Sequence, residues 1–293
     1  MRYEEIGIRM KSFEYQTTCN KLIPQLPIIA RIDGRAFHTF CKGLQKPFCM
    51  GLVETMQEVC KHLVFETKAQ LGYVQSDEIS LCWLSYDKAP FNGKLFKLQS
   101  VLSSMATAKF NNYITTTYFT GKQIQDTMSH ITEVASNEVW KKLFHKCIML
   151  NPSFDCRVFQ VPNEVELANY FVWRELDAVR NSVQMVAQAN FSHNSLQGLN
   201  SKDLQNKLLV EKNINWNNLP DELKRGSYYK RVLVLKELED EVWNKIPQDK
   251  KPESRMVTRS QIQLCKFPIM KDVSNKVDVY FNDMEPIYKK VVE

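Results

Sequence analysis

Leu26-Pro27-Ile28-Ile29-Ala30-Arg31-Ile32-Asp33-Gly34 is a short apolar run entered by a proline and closed by Asp-Gly, the pattern of a buried strand that ends in a turn. Pro47 then opens a helix. From Phe48 to Glu66 the residues Leu52, Val53, Met56, Val59, Cys60 and Leu63 recur at helical spacing, with Glu54, Glu58 and Lys61 on the other face. Next, Leu71 to Val74 and Ile79 to Leu84 flank the polar Gln75-Ser76-Asp77-Glu78, which reads as a hairpin. A loop over Lys88 to Gly93, a helix over Leu95 to Ile114, an extra helical segment around Ile131 to Cys147 and a strand over Arg157 to Val161 follow. The order is strand, helix, two-stranded hairpin, helix, strand. It predicts an α+β fold: the split βαβ antiparallel sheet of a ferredoxin-like polymerase palm.

Glu164 to Gln188 and Ser201 to Lys212 read as helices that add a helical layer, with a polar loop over Asn215 to Arg225. Glu237 to Arg259 is rich in charge and carries Pro247, Lys250, Lys251 and Pro252, so a mobile loop is expected there. The expected division is a palm-like catalytic region over 1–162, a helical region packed on it over 163–235, and a charged C-terminal extension over 236–293 with no assigned role.

The chain has 293 residues, 44% of them hydrophobic, enough for a sizeable core. Its formal charge of +6 suits a polyanionic partner but is also ordinary for a cytosolic enzyme. Eight cysteines, with no CxxC pair and no Cys/His cluster at zinc spacing, read as reduced core residues in a cytoplasmic protein. No apolar run approaches the roughly 20 residues needed to span a bilayer.

Asp33 follows the first strand and Asp77 lies in the hairpin, so a ferredoxin-like sheet brings both carboxylates to one edge. Magnesium takes hard oxygen ligands and is often held by one or two carboxylates together with substrate phosphates. Two such ions would polarise an α-phosphate and stabilise a leaving pyrophosphate. Asp-Gly and Ser-Asp-Glu are also common turn sequences, and the pattern alone leaves both readings open.

Taken in order, Arg31-Ile32-Asp33-Gly34-Arg35-Ala36-Phe37-His38, Lys46-Pro47, Gln75-Ser76-Asp77-Glu78-Ile79-Ser80, Phe154-Asp155-Cys156-Arg157-Val158 and Tyr170-Phe171-Val172-Trp173-Arg174 resemble the tRNA-His guanylyltransferase family and its Thg1-like branch. The resemblance runs from about Ser12 to Asn218. It implies a palm working in reverse: a tRNA 5′ end is activated by a nucleoside triphosphate, GTP or ATP, and then attacked by an incoming nucleotide's 3′-hydroxyl. Carried over by position, Asp33, the Gly34 carbonyl and Asp77 would hold two Mg2+ ions, with Glu78 a further catalytic candidate beside them. Ser76 and His38 would contact the nucleotide and Lys46 its triphosphate, with Lys97 a further triphosphate candidate. A homotetramer is also implied.

After Trp173-Arg174 the eukaryotic guanylyltransferases carry His-Ile-Asn-Asn-Leu-Tyr-Asn-Thr, whereas this chain has Val179-Arg180-Asn181-Ser182-Val183-Gln184-Met185-Val186. Only Asn181 matches, which points to the branch that resembles a 5′-end repair enzyme reading the opposite strand. Val183, Met185 and Val186 read as core residues. Candidates for a tRNA surface are Lys202, Lys207, Lys212, Lys224, Arg225, Lys230 and Arg231, with Tyr228 and Tyr229 for stacking, although a charge run is usually a solvated face. Two other functions use a palm-like sheet. A nucleotide cyclase would keep the two aspartates but lacks its Gly-Gly-Asp/Glu-Glu-Phe type hairpin here, and a non-catalytic RNA-binding protein would give no reason for them.

Overall fold

A computed structural model describes residues 3–85, 89–121, 134–252 and 254–289. Lys88 and residues 131–133, parts of the expected loop and extra helix, lie outside the described residues. Along the chain come α1 (Tyr3–Thr18), β1 (Ile28–Gly34), α2 (Phe37–Cys41), α3 (Met50–Thr67), β2 (Leu71–Gln75), β3 (Glu78–Trp83), α4 (Leu95–Thr120), α5 (Val134–Leu150), β4 (Phe154–Gln160) and α6 (Glu164–Asn190). They continue with α7 (Ser201–Lys212), α8 (Asp221–Lys224), β5 (Ser227–Glu237), α9 (Asp240–Lys245), β6 (Met256–Cys265) and α10 (Lys276–Phe281).

The strands form one antiparallel sheet in the order β4-β1-β3-β2-β5-β6. Its first four strands have the ferredoxin-like arrangement expected from the sequence. Alternation along each strand sends side chains to two faces. Ile28, Ala30, Ile32, Ile79, Leu81 and Trp83 pack with the buried stripes of α3 and α4, whereas Ile29, Leu71, Tyr73 and Cys82 pack with α6 and α10. Burial on both faces explains why β1 and β3 read as continuous apolar runs. A third cluster, Val183, Val186, Leu204, Leu208 and Trp216, joins α6 to α7.

The region expected to be a mobile charged loop is different. β5 and β6 form a hairpin from Tyr228↔Cys265 to Glu237↔Met256, so Met256 to Arg259 is strand and only the connection carries the prolines and α9. Exposure alternates weakly there, and pairing between distant segments stabilises residues whose local composition reads as loop. The polar loop over Asn215 to Arg225 holds a short helical turn at Trp216, buried at 8% exposure, and α8. Before β1, α1 leaves Ile8, Phe13 and Tyr15 exposed.

Several tRNA-surface candidates are structural. β5 lies inside the sheet between β2 and β6, so Tyr228 and Tyr229 are buried and cannot stack on a base. Lys230 is buried and pairs with Asp283 at 2.6 Å. Arg225 pairs with Glu175 at 3.0 Å and donates to the Phe267 and Pro268 carbonyls, and Lys224 donates to the Asn217 carbonyl. Lys207 pairs with Glu211, leaving Lys202, Lys212 and Arg231 exposed without an ion pair among the described residues.

Candidate active site

Asp33 is at the C-terminal end of β1 and Asp77 in the turn between β2 and β3, and register brings them together. Asp33 pairs with Glu78 across β3 and with Asp155 across β4, and the Gly34 N–H donates to the Asp77 carbonyl at 3.1 Å. Ser76, with φ at +52°, occupies the left-handed region that glycine usually fills, and its hydroxyl donates to Asp77 Oδ1 at 3.1 Å. Burial, and then the neighbouring Asp33 charge, push the Asp77 carboxyl above its ordinary range. Two half-buried carboxylates that repel each other are a ready seat for a cation.

The donor set fits magnesium. Asp33, Asp77 and a backbone carbonyl supply only oxygens, and magnesium completes its shell with water and phosphate. No group of three or more His, Cys, Asp or Glu placed to hold a metal exists among the described residues, so phosphate oxygens would supply the rest of the shell.

Glu78 is engaged elsewhere. Arg174 Nε and Nη2 donate to its two oxygens at 2.7 and 2.9 Å, and the same guanidinium reaches Asp177 at 3.2 Å. Burial raises the Glu78 carboxyl while the Arg174 charge restrains the rise. Both side chains are mostly shielded, at 9% and 15% exposure, so the pair fastens α6 to β3 below the carboxylates. Glu78 therefore anchors α6 to β3, with one acceptor site on each of its oxygens taken by Arg174.

An open cleft of about 680 Å³ runs over this site, lined by Asp33, Gln75, Ser76, Asp77, Glu78 and α6. The α6 contribution is the stripe Arg174, Asn181, Gln184, Met185 and Gln188. Sequence reasoning passed over this stripe, although its spacing of three, four or seven residues on a helix otherwise buried through Val183 and Val186 signals a polar face turned to a cleft. Met185, expected in the core with Val183 and Val186, instead lines the cleft and an adjoining apolar recess of about 560 Å³ between α3, α6 and α8.

Of the nucleotide candidates, Ser76 is in the turn, and His38 and Lys46 are exposed on α2 and on the segment that leads into α3. The helix expected from Pro47 begins at Met50, because Cys49 is extended as its N-cap. Lys97 does not join them. Leu95 N donates to the Asn20 carbonyl and Leu22 N to the Gly93 carbonyl, and neighbouring Ile23 bonds Gln160, the partner of Ile28. The start of α4 therefore sits at the opposite end of β1 from Asp33, roughly 17 Å away at the usual rise per residue.

Gly34 is needed for close approach. A Cβ there would lie 2.3 Å from Phe37 Cδ2, and Phe37 is held by Phe40, Phe110 and Phe154 at centroid distances of 5.0 to 5.4 Å. Gly34→Ala is expected to lower stability by about 1–3 kcal/mol through this overpacking. Urea unfolding measures it, and an unchanged midpoint would refute the packing argument.

No helix among the described residues is long and apolar enough to cross a membrane. A family model described as tRNAHis guanylyltransferase (Thg1) matches residues 7–162. The tRNA(His) guanylyltransferase of Saccharomyces cerevisiae is 28% identical over 231 residues, covering 73% of this chain and 86% of the relative. A bacterial tRNA(His) guanylyltransferase (Thg1)-like protein solved in complex with ATP superposes with a TM-score of 0.67 at 36% identity, over 94% of this chain and 98% of the other. A bacterial Thg1-like protein solved with GTP gives 0.60 at 34% identity, over 91% and 94%. The match spans the palm that carries Asp33 and Asp77, and the chain belongs to the Thg1 family of tRNAHis guanylyltransferases.

Proposed function

We propose that this chain adds nucleotides to the 5′ end of tRNA in the 3′-to-5′ direction, choosing each by pairing with the opposite strand, and that Asp33, Asp77 and the Gly34 carbonyl hold two Mg2+ ions for that reaction. The observation that carries the reading is the meeting of Asp33 and Asp77 at the end of the sheet, beneath an open cleft of about 680 Å³. The bound ions would polarise the attacked phosphate and offset the charge of the leaving group.

The protein's own residues hold and orient the reactants. In the first step a 5′-phosphate oxygen of the tRNA bonds to the α-phosphorus of ATP or GTP and pyrophosphate leaves. In the second, the 3′-oxygen of the incoming nucleotide bonds to the 5′-phosphorus and the nucleoside monophosphate leaves. Lys46 neutralises the triphosphate, His38 and the Ser76 hydroxyl contact the nucleotide, and the apolar recess beside Gln75 and Ser76 accepts its base. Glu78 serves through Arg174, which sets the polar stripe of α6 against the cleft. The bacterial relatives solved with ATP and GTP support both nucleotides as ligands, and the family resemblance supports tRNA as acceptor and a homotetrameric, cytoplasmic enzyme.

The departure at Val179 to Val186 favours repair of many tRNAs over tRNA-His alone. Incubated with magnesium and four nucleoside triphosphates, tRNAs lacking their first nucleotide are expected to regain the base complementary to the opposite strand, read as product length and identity. Addition of guanylate to tRNA-His alone would instead establish the single-addition activity that the yeast relative's name describes.

A further inference from the structure

Of the three lysines on α5, Lys142 and Lys146 lie one helical turn apart, and neither forms an ion pair among the described residues. The buried side of the helix, Trp140, Leu143 and Cys147, packs into the core formed with α3 and α4. That packing fixes where the lysines stand. Lys146 Nζ lies 6.0 Å from the ring centroid of Phe40, on the helix that follows Gly34. Burial pushes the Cys41 thiol up to about 11, with the Asp77 charge adding to the rise and Lys146 opposing it, and burial likewise raises Cys49 against the charge of Lys142. Between those cysteines Lys42 and Lys46 are exposed and likewise free of ion pairs among the described residues. The neighbouring Lys141 differs, with Glu138 at 3.8 Å.

We propose that Lys142 and Lys146 bind backbone phosphates of the acceptor RNA next to its 5′ end, extending the cationic rim that Lys46 begins. The inference rests on the nucleotide-adding reading of the Asp33 and Asp77 cleft. The sign of the charge follows from the site. A cleft whose own carboxylates repel a polyanion needs cations on its rim to admit one, and cations left without carboxylate partners keep their full charge for it. The class of phosphate follows from the arrangement. Lys146 and Lys142 form a line along a helix edge, about 5–6 Å apart at their Cβ atoms, which suits successive phosphates of a passing strand. A triphosphate seated on Asp33 and Asp77 is compact and needs donors converging on one point.

The test uses the full chain and a labelled tRNA lacking its first nucleotide, with Kd measured over a salt series in the absence of nucleotide. Lys142→Gln/Lys146→Gln, which keeps the aliphatic stems, is expected to weaken RNA binding about tenfold at low salt and to flatten the slope of log Kd against log salt by about one to two. Lys141→Gln should change neither, and the Kd for GTP alone should stay within about twofold in the double variant. Equal affinity and slope in wild type and double variant would overturn the proposal. So would an equal effect of Lys141→Gln, which reports net charge only, or a loss of GTP binding matching the loss of RNA binding, which would assign the lysines to the triphosphate. Failure of the wild type to bind tRNA would overturn the nucleotide-adding reading itself and the proposal with it.

Discussion

Asp33→Ala and Asp77→Ala are each expected to lower nucleotide addition by at least about a thousandfold, equivalent to roughly 4 kcal/mol of transition-state stabilisation. Each carboxylate would supply oxygen ligands to the metal site, and the adjacent Glu78 is engaged by Arg174. Stability should not fall in parallel. Burial and then the Asp33 charge disfavour the charged form of Asp77, so removing either carboxylate relieves repulsion. The measurements are a single-turnover addition assay and urea unfolding of each variant, with thermal melting in the presence and absence of magnesium. Wild type should melt higher with magnesium and the variants should not, since a ligand that binds only the folded chain raises its stability. Addition within tenfold of wild type in either variant would sink the metal assignment.

Arg174→Met is expected to destabilise the fold by about 3–5 kcal/mol, because it leaves the Glu78 carboxylate shielded and without its bidentate partner. Arg174→Met/Glu78→Met should recover much of that loss, since an apolar pair of similar volume leaves no charge buried. Urea midpoints of the two single variants and the double variant form the cycle that isolates the pair. If the double variant is as unstable as the sum of the singles, the pair is not the fastening between α6 and β3. Addition activity is a separate readout: it should stay low in the double variant even where stability returns, because Asp177 loses Arg174 and the α6 stripe loses its polar end.

The sheet was legible because its strands carry local signals. Leu26 to Gly34 ends in Asp-Gly, the hairpin is closed by Gln75 to Glu78, and α3 and α4 have apolar stripes at helical spacing. The approach of Asp33 to Asp77 followed from strand order, which these short connections determine. Lys97 was misplaced because the sequence placed it on the second palm helix without showing which end of β1 that helix starts from. The tyrosines of β5 were offered to RNA for a similar reason. Composition does not reveal that a strand far along the chain enters the sheet interior and buries both of them.

The sequence by itself determined the palm, the two aspartates at its edge and the family, since each rests on residues close in the chain or on motifs in a definite order. Only the tertiary structure decided what those residues are free to do. Arg174 lies 96 positions from Glu78 and takes both its oxygens, Asp283 neutralises Lys230 from 53 positions away, and α5 brings Lys146 beside Phe40. Charge and hydrogen-bonding capacity are properties of single residues, but whether they are spent inside the protein or left for a ligand depends on partners that only packing brings within a few ångströms.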